Sequence, residues 1–273
     1  MAAVYAKIRA VHSVTRVPVV RHAASGASDD EDAVAVEEPL EIRVAAGGRE
    51  HAVSVTMRTP GDDYDLAAGF LRTEGLIAGA GDIESIRHWG SPNVVRVALR
   101  EGVTLDFERL QRHFFASSSC GICGKASIDA VRIHAAPLDD DVRIAADVLA
   151  SLEPALRARQ AAFDSTGAIH AAGAFTRAGA LLHAREDVGR HNAVDKCAGA
   201  LLREGAQADV LFVSGRAGFE VVQKALVARI PIVAAVGAPT SLAVELARET
   251  NLTLAGFVRE GRFNVYAGEQ RVC

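Results

Sequence analysis

The strongest constraint on this chain lies in its last third, where helical and strand patterns alternate. Helix is predicted over 191–202, a buried strand at 210–213, helix over 219–228, a strand at 231–236, helix over 241–249 and a strand at 252–258. Strands separated by one helix each cannot close as hairpins, so this order dictates a parallel βαβαβ core. Right-handed crossovers then gather the loops that leave the strands along one edge of the sheet, where ligands of open α/β sheets bind. Just upstream, 171–176 and 180–185 read as a hairpin about Gly179.

The first half has a different texture. Two alternating runs, LEIRVAA and HAVSVTMR, flank Gly47-Gly48 and predict a hairpin. Thr59-Pro60-Gly61-Asp62-Asp63 is punctuation with Asp62 or Asp63 as helix cap, and a helix over 64–74 closes at Gly75. Strands at 83–88 and 93–99 and a short helix over 105–115 complete a small α+β unit. A helix over 144–162 follows, in which Pro154 either kinks the helix or opens a second one. Ahead of the unit, residues 24–38 hold six acids and no base, which reads as a solvated linker. The partition is a flexible segment at 1–35, an α+β unit at 36–115, a mobile C-x-x-C loop at 116–128 and an α/β domain at 129–273.

Composition narrows the function classes. With 49% hydrophobic and 23% charged residues the chain can build a real core. A net charge of −4 and 5% aromatics argue against nucleic-acid binding and against stacking platforms for single strands. The longest apolar stretch, 230–239, is too short for a membrane helix. Residues 1–28 contain no acid and carry Lys7, Arg9, Arg16 and Arg21, a faint likeness to a transit peptide. The expectation is a cytoplasmic protein that meets no membrane.

Four cysteines do not make a disulfide scaffold. Cys120 and Cys123 form a C-x-x-C in a stretch, ASSSCGICGKAS, crowded with Ser and Gly and without hydrophobic period. Such a pair can be half a zinc site, a redox dithiol, a sulfur-carrying thiol or a turn that happens to contain cysteines. Structural zinc calls for four ligands, and Cys197 and Cys273 are isolated; His113 or His134 would need help from elsewhere. A redox motif should follow a strand and open a helix, whereas this one is flanked by glycines. The spacing leaves these readings open. A zinc deaminase is excluded: His170-Ala171-Ala172 lacks the glutamate of H-x-E, and the cysteine pair precedes it without its proline. His170 then reads as a core or strand-edge histidine.

The run REDVGRHNAVDK packs charge into a strand-to-helix turn, where free N–H groups, Arg190 and His191 suit an anion. The alternative is capping by Asp187 or Asn192, with Asp195 and Lys196 on a solvated face. Ser214, Gly215 and Arg216 leave one parallel strand, and Gly237 to Thr240 and Ser241 leave the next; neither loop is a P-loop. At the end of the last strand, Arg259 and Arg262 around Gly261 make either a hairpin turn or a phosphate clamp. No G-x-S-x-G elbow is present.

Taken in order, TMRTPGDDYDLAAGFLRTEGLI, SSSCGICGK, REDVGRHNAVDK, VSGRAGFEVVQKA, GAPTSLAVELARETNLTLAGF and VREGRFNVY resemble the FdhD family of formate dehydrogenase accessory sulfurtransferases. The resemblance runs from about Asp32 to Tyr266 and implies a sulfur carrier. Such a protein takes persulfide sulfur from a cysteine desulfurase and passes it to the molybdenum cofactor, bis(molybdopterin guanine dinucleotide), before insertion into formate dehydrogenase. Cys120, the usual persulfide position, and Cys123 fall on the family's C-x-x-C. Phe257, Val258, Arg259, Glu260, Gly261 and Arg262 fall on its cofactor-binding segment. The implied fold joins an α+β N-terminal unit to a cytidine-deaminase-like three-layer α/β/α domain, usually in a homodimer. No permanent metal is implied, and Lys125 stands near enough in sequence to favour a thiolate. The competing class is a chaperone that holds the cofactor while its cysteines bind metal or do nothing.

Overall fold

The computed structural model describes residues 13–105, 133, 135–259 and 261–273. Cys120, Cys123, Lys125, His113, His134, Glu260 and nearly all of the helix expected over 105–115 lie outside the described residues. Three sheets are present among the described residues.

The largest has the order β12-β11-β10-β9-β7-β8. Its strands are β7 (His170–Phe175), β8 (Leu181–Asp187), β9 (Val210–Val213), β10 (Ile232–Ala235), β11 (Thr253–Arg259) and β12 (Arg262–Ala267). β9, β10 and β11 are parallel, as the alternation requires, and β7 and β12 run antiparallel on either side. The period of two sorts the side chains into two layers. Leu211, Val213, Val233 and Ala235 face one core, with Val194 and Leu201, Val222 and Leu226, and Ala243 and Leu246. Those pairs come from α4 (Arg190–Glu204), α5 (Phe219–Val227) and α6 (Ser241–Glu249). Val210, Phe212, Ile232 and Ala234 face the other core, against Leu149, Leu152 and Leu156 of α2 (Ala146–Arg157). The domain is therefore the three-layer α/β/α arrangement. Pro154 sits inside the last turns of α2, and a separate short helix, α3 (Ala161–Thr166), follows.

The N-terminal sheet has the order β4-β3-β6-β5, with β3 (Glu38–Ala46), β4 (Arg49–Arg58), β5 (Ile83–His88) and β6 (Val94–Leu99). Gly47 and Gly48 both take positive φ, 55° and 74°, as a two-residue hairpin turn matched to strand twist demands. Leu40, Ile42, Val44, Val95 and Val97 pack on Leu66 and Leu71 of α1 (Asp63–Thr73). The opposite side of α1 lies on α4. Gly69 and Gly199 meet there: a methyl on Gly69 would overlap the carbonyl of Asp195, and one on Gly199 the carbonyl of Asp65. Glycine at both positions lets the two backbones touch.

The solvated linker expected over 24–38 is a strand instead. β1 (Val14–Ala23) and β2 (Gly26–Ala35) form an exposed antiparallel arm, with Asp30 paired to Arg21 at 2.7 Å. The charge block misled because VTRVPVV just before it supplies a partner strand, so the acids need only point into water. Among the described residues no helix is long and apolar enough to cross a membrane.

Candidate functional site

The parallel strands deliver three loops to one edge, and backbone hydrogen bonds stitch these loops together. Gly237 N donates to Gly215 O at 2.9 Å, Thr240 N to Ala217 O at 3.2 Å and Phe257 N to Gly237 O at 3.2 Å. The contacts are close enough that a methyl on Gly256 would press on Pro239. Because β7 is antiparallel to β9, its first residue, His170, reaches the same edge, and β8 ends beside it with Asp187 opposite His170. α4, α5 and α6 all begin here, at Gly189, Gly218 and Thr240, and none of these N-caps closes its helix with its own side chain. Three helix N-termini without a capping side chain of their own give the edge positive potential.

The segments singled out from the sequence thus converge, but their side chains play different parts. Arg216, Thr240 and Ser241 are exposed, Gly215 is half-buried, and the Ser214 hydroxyl accepts a hydrogen bond from Ala171 N at 2.9 Å. β11 and β12 join as a hairpin with Gly261 at φ 75°, which settles the turn in the double reading of Arg259 and Arg262. Val258 faces inward and is fully buried in the α2-side core, so its part is packing. Phe257 is the reverse: it is 47% exposed and holds φ 55°, where the register of β11 against β12 slips. A left-handed phenylalanine with its ring in solvent is costly backbone geometry, of the sort that collects at functional sites. Its ring, Arg259, Arg262, Phe263 and Asn264 line a cleft of about 400 Å³. Arg259 is braced across the mouth by donating to Val236 O and Val258 O.

REDVGRHNAVDK is a junction in which most charges are spent on structure. Arg185 bonds Asp65 of α1 at 2.8 Å, and Glu186 accepts the N–H groups of Ala162 and Phe163 in the first turn of α3. Asp187, fully buried, accepts from Thr59 N, Gly189 N, Asn192 Nδ2 and Lys196 Nζ. Asp187 thus anchors Gly189, the N-cap of α4, by its N–H, and neither Asp187 nor Asn192 is itself the N-cap. The solvated face expected for Asp195 and Lys196 is not present, since both are buried. Lys196 donates to Thr59 O, while Asp195 accepts from Thr73 and Lys224. The physical reason is the arrival of α1 and the loop after β4, which cover a helix face that would otherwise be wet. Burial works against the charged form of Lys224, but the carboxylates of Asp195 and Glu74 outweigh it and raise the pKa.

Arg190 is half-buried at the head of α4, and His191 behind it sets Nε2 2.8 Å from Glu220 Oε2 of α5. Glu220 escaped the sequence reading; its only signal is a lone acid in the otherwise apolar opening of FEVVQKALV. His170, half-buried, has its pKa lowered by burial, and then by the charges of Arg190 and His191. Cys197 is buried, its thiol donating to Ala172 O, and burial pushes its pKa up to about 12. It is an inert packing residue. Among the described residues no three His, Cys, Asp or Glu side chains gather as a metal site.

Comparison with known proteins bears on this geometry. Residues 35–273 match a family model described as the FdhD/NarQ family. The sulfur carrier protein FdhD of Streptomyces avermitilis is 49% identical over 271 residues, covering 94% of this chain and 95% of that protein. That of Nocardia farcinica is 49% identical over 267 residues, covering 93% of each chain. Among solved structures, a formate dehydrogenase accessory protein from Desulfotalea psychrophila superposes with a TM-score of 0.76 at 25% identity. The match covers 96% of this chain and 100% of that one.

Proposed function

The chain belongs to the FdhD/NarQ family, and on that premise we propose that it carries sulfur in the maturation of formate dehydrogenase. The Cys120 thiolate attacks the terminal sulfur of a desulfurase persulfide. A new S–S bond forms at Cys120, the donor's S–S bond breaks, and the donor cysteine leaves as thiolate. The acceptor of that sulfur is the molybdenum bis(molybdopterin guanine dinucleotide) cofactor, bound as substrate before its insertion into the enzyme. Cys123 serves as the resolving thiol: attack on Cys120 Sγ forms the disulfide and releases hydrosulfide. The work is done in the cytoplasm by a homodimer.

The observation that carries the substrate assignment is the Phe257 cleft. An exposed aromatic ring held at φ 55° offers a stacking face for a guanine base, and Arg259 and Arg262 offer donors to its diphosphate. The neighbouring loops add backbone N–H groups at three helix N-termini.

Sulfur carriage is tested by peptide mass spectrometry after incubation with a cysteine desulfurase and cysteine, without reductant. A gain of about 32 mass units on the Cys120 peptide is expected, absent in Cys120→Ala, which also fails to activate formate dehydrogenase. Unmodified thiols together with co-purifying zinc would replace the carrier by the cofactor-holding chaperone.

A further inference from the structure

His191 has one nitrogen that the fold does not use. The ring is 8% exposed and is braced between two helix N-termini, its own on α4 and that of Glu220 on α5. The carboxylate 2.8 Å from Nε2 keeps a proton on that nitrogen and so fixes the tautomer. Nδ1 is then the free position, and it is buried without a hydrogen-bond partner, the one such side-chain nitrogen or oxygen among the described residues. As a lone pair, a buried Nδ1 is tolerable. As an N–H it would be an unsatisfied buried donor, which folded proteins avoid. A negative group beside Nδ1 would supply the acceptor that an N–H there needs, and Glu220 is placed to balance an imidazolium.

The other charged groups around the ring do not fill this role. Asp187 at the end of β8 is saturated by four donors. Arg185 of the same strand is turned away to Asp65 of α1. Arg190 precedes His191 on α4, and after burial the charges of these two are what lower the pKa of His170 at the start of β7. β9, beneath, carries no charged residue. An acceptor for an Nδ1–H is therefore to be sought in a negative group at the edge.

We propose that His191 takes up one proton when a phosphate-bearing ligand occupies the strand edge, its Nδ1–H then donating to an anionic oxygen directly or through one water while Glu220 balances the charge. The proton comes from solvent and no other bond changes. This inference rests on the reading of the edge as the seat of a nucleotide diphosphate, and it adds that binding there is proton-linked through a named residue.

The test is calorimetric titration with guanosine diphosphate at pH 7.5 in two buffers of different ionisation heat, on full-length protein. Wild type is expected to take up about one proton beyond that of the nucleotide, so that affinity falls about tenfold per pH unit on the alkaline side. His191→Gln keeps a donor to Glu220 and should bind about tenfold more weakly without uptake. Glu220→Gln keeps the hydrogen bond but removes the balancing charge, and should lose most of the uptake. His170→Asn should retain it. Binding by wild type without uptake, or uptake that survives His191→Gln or vanishes in His170→Asn, overturns the proton linkage and leaves the nucleotide seat standing. A folded wild type that does not bind the nucleotide at any pH overturns both.

Discussion

Asp187 is the residue on which the candidate site turns. Its two oxygens take four hydrogen bonds, from two backbone N–H groups, one amide and one ammonium. A carboxylate with no access to water requires such saturation. Asp187→Asn replaces two acceptor oxygens by one oxygen and one NH₂, and strands Lys196 as an uncompensated buried charge. Breaking a buried pair from one side costs about 3–5 kcal/mol, so urea unfolding should show a loss of that size. Wild-type stability in the variant would mean that the carbonyls of Thr59 and Glu186 suffice for Lys196. This hub was only half legible in the sequence. Asp187 at a strand end before Gly189 recognisably marks a helix start, but Asp195 and Lys196 follow the default rule that adjacent charges on a helix face water. Their burial depends on α1 and the loop before it, whose contacts lie 122 and 137 residues away along the chain, and no local pattern encodes them.

At the scale of elements, local pattern was far more informative, because the strands and helices of both sheets carry their own period. The helix at Ser241–Glu249 and the strand at Ile83–His88 fall where the sequence places them. What remained hidden is how elements meet. Gly69 sits in α1 and Gly199 in α4, where helix propensity alone would favour alanine by about 1 kcal/mol each. The structure explains the cost: each glycine accommodates a carbonyl of the opposite helix. Gly69→Ala or Gly199→Ala should therefore destabilise the protein by about 3 kcal/mol, at the upper end of overpacking, against the propensity gain. The double variant should lose less than the sum, since one separation of the helices relieves both overlaps. Additive losses in equilibrium unfolding would show that the two glycines act at independent sites. The acidic arm teaches the same lesson from the other side: β2 was unreadable from its charge block because a strand is defined by its partner β1.

For the whole molecule, the N-terminal sheet is joined to the large sheet through α1 packed on α4, and this fixes how the chain should unfold. A chain of 273 residues with three hydrophobic cores ordinarily melts in steps. Here the boundary is not an ordinary surface. Leu202 of α4 packs on the N-terminal core. Lys224 reaches across to Thr73 and Glu74, and Asn192 donates to Met57 O. Releasing the N-terminal sheet alone would strip partners from Lys224, Lys196 and Asn192 and would open the glycine crossing, while the strand edge would lose the Thr59 anchor of Asp187. One cooperative transition is therefore expected, with calorimetric and van't Hoff enthalpies equal and near-UV and far-UV signals coincident. Lys224→Met, which leaves Asp195 buried without its cation, should lower that single midpoint by roughly 6–20 °C without splitting it. Two resolved transitions, with only the first shifted by the variant, would show instead that the N-terminal sheet is an independent unit and that the site at the strand edge stands without it.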